Sequence, residues 1–295
     1  MNKAYIYVII TALLFGTMEV ACKIGGADMD PYQLTFLRFL IGGLLLLPFA
    51  VKQMKNRGVR LEGRDILLLA VIGFVGVTVS MSMFQFSVML CNASTVSVLF
   101  CVNPFFTMVF AHLLTDEKLY LRKVVILVVA LAGIFFMLRF WDVQEGNTLP
   151  GMLLMIVAAM FFGIYTVMAK VSQRKLGPIA QTSISFLLGA GILLIAILIM
   201  GRPDIAGTAD NIPIIIYTGV MVTGLGYYCY FRAIELADAA TGSFAFFLKP
   251  AIAPVIAVIV LNETILWNTV LGIALVLLAS LLKILGDRGK AKEIK

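Results

Sequence analysis

The chain has 295 residues, of which 61% are hydrophobic and 13% charged, and its formal net charge is +7. A soluble domain carries about 25% charged and about 45–50% apolar residues, so water is excluded as the main solvent. With only 25 glycines, 9 prolines and 4 cysteines, collagen-like, disordered and disulfide-stapled classes are excluded as well, which leaves an integral membrane protein.

A hydrocarbon core of about 30 Å needs roughly 20 apolar residues per helix. That length predicts ten spans, at 4–24, 31–51, 65–88, 92–114, 122–140, 149–171, 179–200, 212–233, 240–261 and 266–285, numbered 1 to 10 below. Turn residues separate several of them: Asp28-Met29-Asp30-Pro31, Gly58 with Gly63, Gly146-Asn147, Gly177-Pro178 and Gly201-Arg202-Pro203. Several spans lack the alternating polar positions of a β-barrel, so the expected fold is all-α. Span 1 is too long for the apolar core of a typical signal peptide, carries Glu19 and lacks a small-residue cleavage site; it is expected to be retained.

Basic residues set the orientation. With a cytoplasmic N-terminus, the inner side holds Lys3, Lys52, Lys55, Arg57, Arg60, Arg64, Lys118, Arg122, Lys123, Arg174, Lys175, Arg232, Lys283, Arg288, Lys290, Lys292 and Lys295. The outer side holds only Lys23, Arg139 and Arg202. Both termini are therefore expected in the cytoplasm of a cell whose plasma membrane the chain crosses many times. The positive charge then serves orientation and contact with anionic membrane lipids, and no nucleic-acid partner is expected.

The chain also resembles itself. At a shift of 147, Phe15-Gly16 meets Phe162-Gly163, Val20 meets Val167, Lys23 meets Lys170 and Pro31 meets Pro178. Thr35, Phe39-Leu40 and Gly42 meet Thr182, Phe186-Leu187 and Gly189. At a shift of 146, Ala93, Thr95, Ser97, Phe100, Pro104 and Glu117 meet Ala239, Thr241, Ser243, Phe246, Pro250 and Glu263. The expected units are residues 1–140 (spans 1–5) and 141–295 (spans 6–10, with a short basic tail). Five spans is an odd number, so the second unit enters the membrane from the opposite side. Inverted repeats are the architecture of alternating-access transporters.

Phe15-Gly16 and Lys23 in span 1, Leu37-Arg38-Phe39-Leu40 in span 2, and Asn103-Pro104 with Asp116-Glu117 around span 4 form an ordered set. Tyr227-Tyr228-Cys229-Tyr230-Phe231-Arg232-Ala233, Ala239-Ala240, Pro250 and Asn262-Glu263 continue it through spans 8 and 9. Over essentially its whole length the chain resembles the EamA family of the drug/metabolite transporter (DMT) superfamily. The resemblance implies a ten-helix bundle in which helices 1–4 and 6–9 enclose a central cavity, and helices 5 and 10 lie at the periphery. It also implies secondary transport, often export, of amino acids or other small metabolites. Members usually carry Glu before the span 9 proline, where this chain has Lys249, and an apolar or aromatic residue where it has Glu19.

An ionisable side chain at mid-membrane costs at least about 2.5–3.5 kcal/mol, so its default reading is functional. Glu19, Arg38 and Lys249 stand out. Glu19 and Arg38 match in depth, which suits either a structural ion pair or a Glu19 that exchanges a proton for a cationic group; the two readings predict opposite pH dependence. Lys249 lies near the midplane ahead of Pro250 and Pro254. Proline frees the carbonyl four residues earlier, Phe246 in span 9 and Phe100 ahead of Pro104 in span 4. Broken helices at equivalent places in two repeats mark a transporter site, expected here between Asn103-Pro104 and Lys249-Pro250; the alternative is a kink used only for packing, with Lys249 snorkelling or bridging to Glu19.

A charged Lys249 suits a carboxylate or phosphate and Glu19 an ammonium, so together they suit a zwitterion. Tyr227, Tyr228 and Tyr230, with Trp267 and Phe84, are either an aromatic wall or packing and interface anchors. Lys23 and Lys170 are expected to snorkel. His112 has no second His and no cluster of Cys or carboxylates beside it, so no metal and no cofactor is expected. Cys22, Cys91, Cys101 and Cys229 read as small apolar residues, and Gly42-Gly43, Gly73 with Gly76, and Gly189 with Gly191 as close-contact positions.

No GxxxxGK[ST] loop is present for an ATP-driven pump, and one histidine with one buried carboxylate is thin material for an enzyme. The expected function is secondary active export of a small polar or zwitterionic, amino-acid-like substrate by a monomer or homodimer, with protons as the candidate coupling ion. The alternative is proton-coupled export of organic cations or drugs through Glu19.

Overall fold

The structure, a computed structural model, describes residues 3–114, 145–201, 206–236 and 239–275, with isolated positions between 125 and 136 and at 277–278. These residues form helices and turns, with no strand among them. Among the described residues seven helices are long and apolar enough to cross a membrane: Ala4–Gly25 (span 1), Pro31–Arg57 (span 2), Gly63–Leu90 (span 3), Ala93–Leu114 (span 4), Leu149–Leu176 (span 6), Pro178–Ile199 (span 7) and Ile212–Ala233 (span 8). Span 9 is the helix Ala239–Leu261. Of the ten expected spans, the fifth lies largely outside the described residues, and of the tenth 267–275 and 277–278 are described, as helix.

Local chemistry sets the helix ends. Asp30 caps span 2 by accepting from the Tyr32 and Gln33 backbone N–H groups at 2.8 and 3.3 Å, Pro31 opens the first turn, and Gly58 closes the helix at φ 64°. Thr148 caps span 6 through the Gly151 N–H at 3.2 Å. Gly177, at φ 89°, ends that span and passes directly to Pro178, the first residue of span 7.

Contacts at the helix ends fix the relative direction of the two halves. Span 1 ends at the same face where span 4 begins and span 9 ends: Lys23 lies 3.8 Å from Glu263, whose carboxylate accepts from the Ala93 and Ser94 N–H groups. At the opposite face Gln53, near the end of span 2, accepts from the N–H groups of Ile179 and Ala180 at the start of span 7, each at 3.0 Å. There too Lys175, at the end of span 6, pairs with Asp65 at the start of span 3 at 2.8 Å. Spans 1 and 6 thus run in opposite directions, as do spans 4 and 9. The repeats are inverted.

Packing repeats across the inversion. In lipid no hydrophobic force drives helices together, so small residues that allow close backbone approach dominate the contacts. A Cβ on Gly16 would lie 2.6 Å from Ile252 Cγ2, and one on its repeat partner Gly163 would lie 2.9 Å from Phe106 Cβ. Phe15 packs on Phe246 at 5.7 Å between ring centres, and Phe162 on Phe100 at 5.2 Å. Span 1 against span 9 therefore mirrors span 6 against span 4. Gly42 and Gly43 admit Thr223 and Leu187, while Gly191 faces open space.

Spans 3 and 8 each contain a π-helical stretch, Phe74–Met81 and Tyr217–Gly226. Such stretches are rare and concentrate at functional sites.

The tightest crossing joins spans 3 and 7. A Cβ on Gly73 would strike the Ser185 carbonyl oxygen and lie 2.7 Å from the Gly189 nitrogen. Backbone cannot rotate aside as a side chain can. Gly73→Ala is therefore expected to destabilise the chain by about 1–3 kcal/mol. Thermal unfolding in detergent checks this, and an unchanged midpoint contradicts the packing.

Candidate functional site

Span 1 is interrupted at Thr17, between the helices Lys3–Gly16 and Met18–Gly25. The second segment carries Glu19 and Cys22 into the interior, both fully buried. Because Gly16 lets span 9 approach, Lys249 reaches Glu19, and the two form an ion pair at most 1% exposed. Beyond this pair, neither carboxylate oxygen of Glu19 nor the ammonium has a hydrogen-bond partner among the described residues. The Lys249 Nζ also lies 5.1 Å from the Phe100 ring centre. A desolvated pair of this kind is costly to build and costlier to break on one side only.

Arg38 is not the partner of Glu19. Its guanidinium, 1% exposed, donates from Nη1 to Cys22 Sγ at 3.0 Å and from Nη2 to Met81 Sδ at 3.6 Å, and its Nε is unpartnered. The Phe39 and Phe84 ring centres lie 4.8 and 5.8 Å from it. Depth along the helices permitted the Glu19–Arg38 pair; the contact between spans 1 and 9 decided for Lys249.

The two prolines act differently. Span 4 is broken into Ala93–Phe100 and Asn103–Leu114, and the Asn103 side-chain amide donates to the Phe100 carbonyl at 3.0 Å. The carbonyl freed ahead of Pro104 thus has a local partner. Span 9 runs unbroken from Ala239 to Leu261 through Pro250 and Pro254. At the position equivalent to Asn103 it carries Lys249, which turns to Glu19 instead. Only one of the two expected breaks is present, and Asn103 serves the backbone.

Tyr227 packs against Phe15 and Phe186, each at 5.1 Å, and Tyr230 against Phe231 and Phe246 at 5.1 and 5.5 Å. Both belong to one aromatic cluster, which reaches Arg38 through Phe186 and Phe39. Phe84 is buried beside Arg38, whereas Trp267 is 70% exposed and suits an interface anchor. Lys23 does not snorkel: it donates to the Cys91 carbonyl and pairs with Glu263.

Gln85, which the sequence reading missed, is fully buried one turn beyond the span 3 π stretch. Its Nε2 donates to the Cys22 carbonyl at 3.0 Å, and its Oε1 is unpartnered. A lone glutamine deep in an apolar span was the signal. Cys22, Cys91, Cys101 and Cys229 are all free thiols, and no cluster able to hold a metal occurs among the described residues.

A sequence profile described as the EamA-like transporter family matches residues 2–139 and again 149–285. The chain belongs to this family, within the drug/metabolite transporter superfamily. An uncharacterized transporter of Clostridium kluyveri is 38% identical, covering 100% of this chain and 97% of that one. The uncharacterized transporter YoaV of Bacillus subtilis is 25% identical over 94% of each chain. A solved crystal structure aligns with a TM-score of 0.67 at 18% identity, covering 96% of both chains, a likeness of fold. This EamA-family chain is a multi-pass membrane transporter.

Proposed function

We propose that this chain is a secondary active transporter, and not an enzyme, that exports a small polar or zwitterionic, amino-acid-like metabolite across the plasma membrane. Both termini are cytoplasmic in this reading, and the units 1–140 and 141–295 rock about a shared buried site by alternating access. One observation carries it: oppositely charged Glu19 and Lys249, one from each repeat, meet in the buried interior at the seam between the units. Groups so placed are separated when the repeats rock, which opens a pocket of buried charge to a solute that itself carries both signs. Export follows from the family's frequent role, and the cytoplasmic termini from the basic residues.

Reconstitution in liposomes, with panels of amino acids, nucleobases and quaternary cations and with or without a proton gradient, tests this reading. Saturable flux and countertransport of a zwitterion are expected, with Glu19→Gln and Lys249→Ala each reducing it at least tenfold. Unchanged affinity and pH profile in both variants would overturn the assignment. Cation flux abolished by Glu19→Gln but kept by Lys249→Ala would identify a proton-coupled cation exporter instead.

A further inference from the structure

Glu19, Lys249 and Arg38 are the only charged side chains fully buried among the described residues. The first two neutralise one another, which leaves the guanidinium as an uncompensated buried cation. Arginine stays protonated in proteins, so it cannot shed this charge as a buried lysine can. Its acceptors are a thiol and a thioether, both weak and both neutral, and its Nε–H has none. A planar fork of five donors matches a carboxylate held by two parallel hydrogen bonds. Next to it, Gln85 is fixed to the same Cys22 by its amide nitrogen and leaves Oε1 as a free acceptor.

We infer that Arg38 is the seat of a carboxylate of the transported solute, and that Gln85 Oε1 accepts from a donor on the same molecule. The sequence pointed to Lys249 for the anionic group, but that ammonium is already held by Glu19. The solute therefore brings the counter-charge that the described residues lack, and amides or esters of the same solute are poor ligands. The inference rests on the reading above that the buried charges form the transport site. Its test is an equilibrium binding measurement, so the two can fail separately.

The full chain, purified in detergent, is titrated with sodium acetate, with acetamide as the uncharged isostere and with sodium chloride. Ionic strength is held with a bulky sulfonate, and the unfolding midpoint is read. Acetate is expected to raise the midpoint saturably, acetamide not at all, and chloride clearly less than acetate. Arg38→Gln should abolish the acetate effect. If Arg38→Gln does not fold, Arg38→Lys carries the test: it keeps the charge without the fork and should weaken acetate by about tenfold. The proposal is overturned if acetate has no saturable effect on the wild type, if chloride matches acetate, or if the Arg38 variant that folds responds like wild type. Carboxylate binding without any flux would sink the transport reading alone.

Discussion

Glu19→Gln is expected to destabilise the chain by about 3–5 kcal/mol, the cost of leaving a buried charge without its partner. Lys249→Met should cost clearly less. The asymmetry follows from three buried charges. Among the described residues the wild type buries two cations and one anion; Glu19→Gln leaves two cations with no anion, whereas Lys249→Met leaves Glu19 with Arg38. The double variant leaves a single cation, as the wild type does in net terms, and should recover most of the loss of Glu19→Gln. A buried pair replaced as a unit by apolar or neutral groups is often neutral in stability. Unfolding midpoints of the four chains in detergent form a double-mutant cycle, and flux measured beside them should be lost in all three variants. If Lys249→Met proved the more damaging single change, Glu19 would not be the anion that balances this interior.

Much of this was legible in the sequence because the bilayer constrains so strongly. The predicted boundaries of spans 1–4 and 6–9 fall within six residues of the observed helices, the largest misses being the longer ends of spans 2 and 6 at Arg57 and Leu176, since apolar length and Gly, Pro and Asp turn residues set them locally. The repeat was legible for a related reason: Gly16 with Gly163, and Phe15 with Phe162, recur where one helix must approach another closely. Partner choice was not legible. Glu19 could reach Arg38 or Lys249 by depth alone, and only the approach of span 9 over Gly16 separates them. Lys23 lies where a snorkelling lysine would, and only the end of span 9 beside it turns it into an ion-pair partner. The unbroken course of span 9 was equally hidden, because a proline tells which hydrogen bond is lost and not whether the helix absorbs the loss.

Glu263→Ala should open the face at which Lys23 and Glu263 meet. One carboxylate there holds three elements: it accepts from Ala93 N–H at 2.6 Å, from Ser94 N–H at 3.0 Å and from Ser94 Oγ at 2.6 Å, and lies 3.8 Å from Lys23 Nζ. Glu263 lies just past the end of span 9, Ala93 begins span 4 and Lys23 lies in the last turn of span 1, so both repeats are tied at one point. Two features strengthen the tie: the acceptor is charged, and the N–H groups belong to a helix N-terminus, where the backbone dipole favours an anion. In the proposed rocking motion, opening this face must exchange these bonds for water. A net loss of about 2 kcal/mol on removing the carboxylate shifts the closed-to-open ratio by roughly thirtyfold. Cys22 reports the change, since it adjoins Lys23, is fully buried and touches Arg38. In a chain with Cys91, Cys101 and Cys229 replaced by alanine, a membrane-impermeant maleimide should label Cys22 at least tenfold faster once Glu263 is alanine. Ser94→Ala should fall between, as it removes one of the three bonds and spares the rest. Should labelling stay at the wild-type rate, this carboxylate merely caps span 4 and the closure of that face resides elsewhere. Acceleration that is suppressed by acetate would connect the latch to Arg38, since a ligand bound beside Cys22 shields the thiol that the opened face exposes.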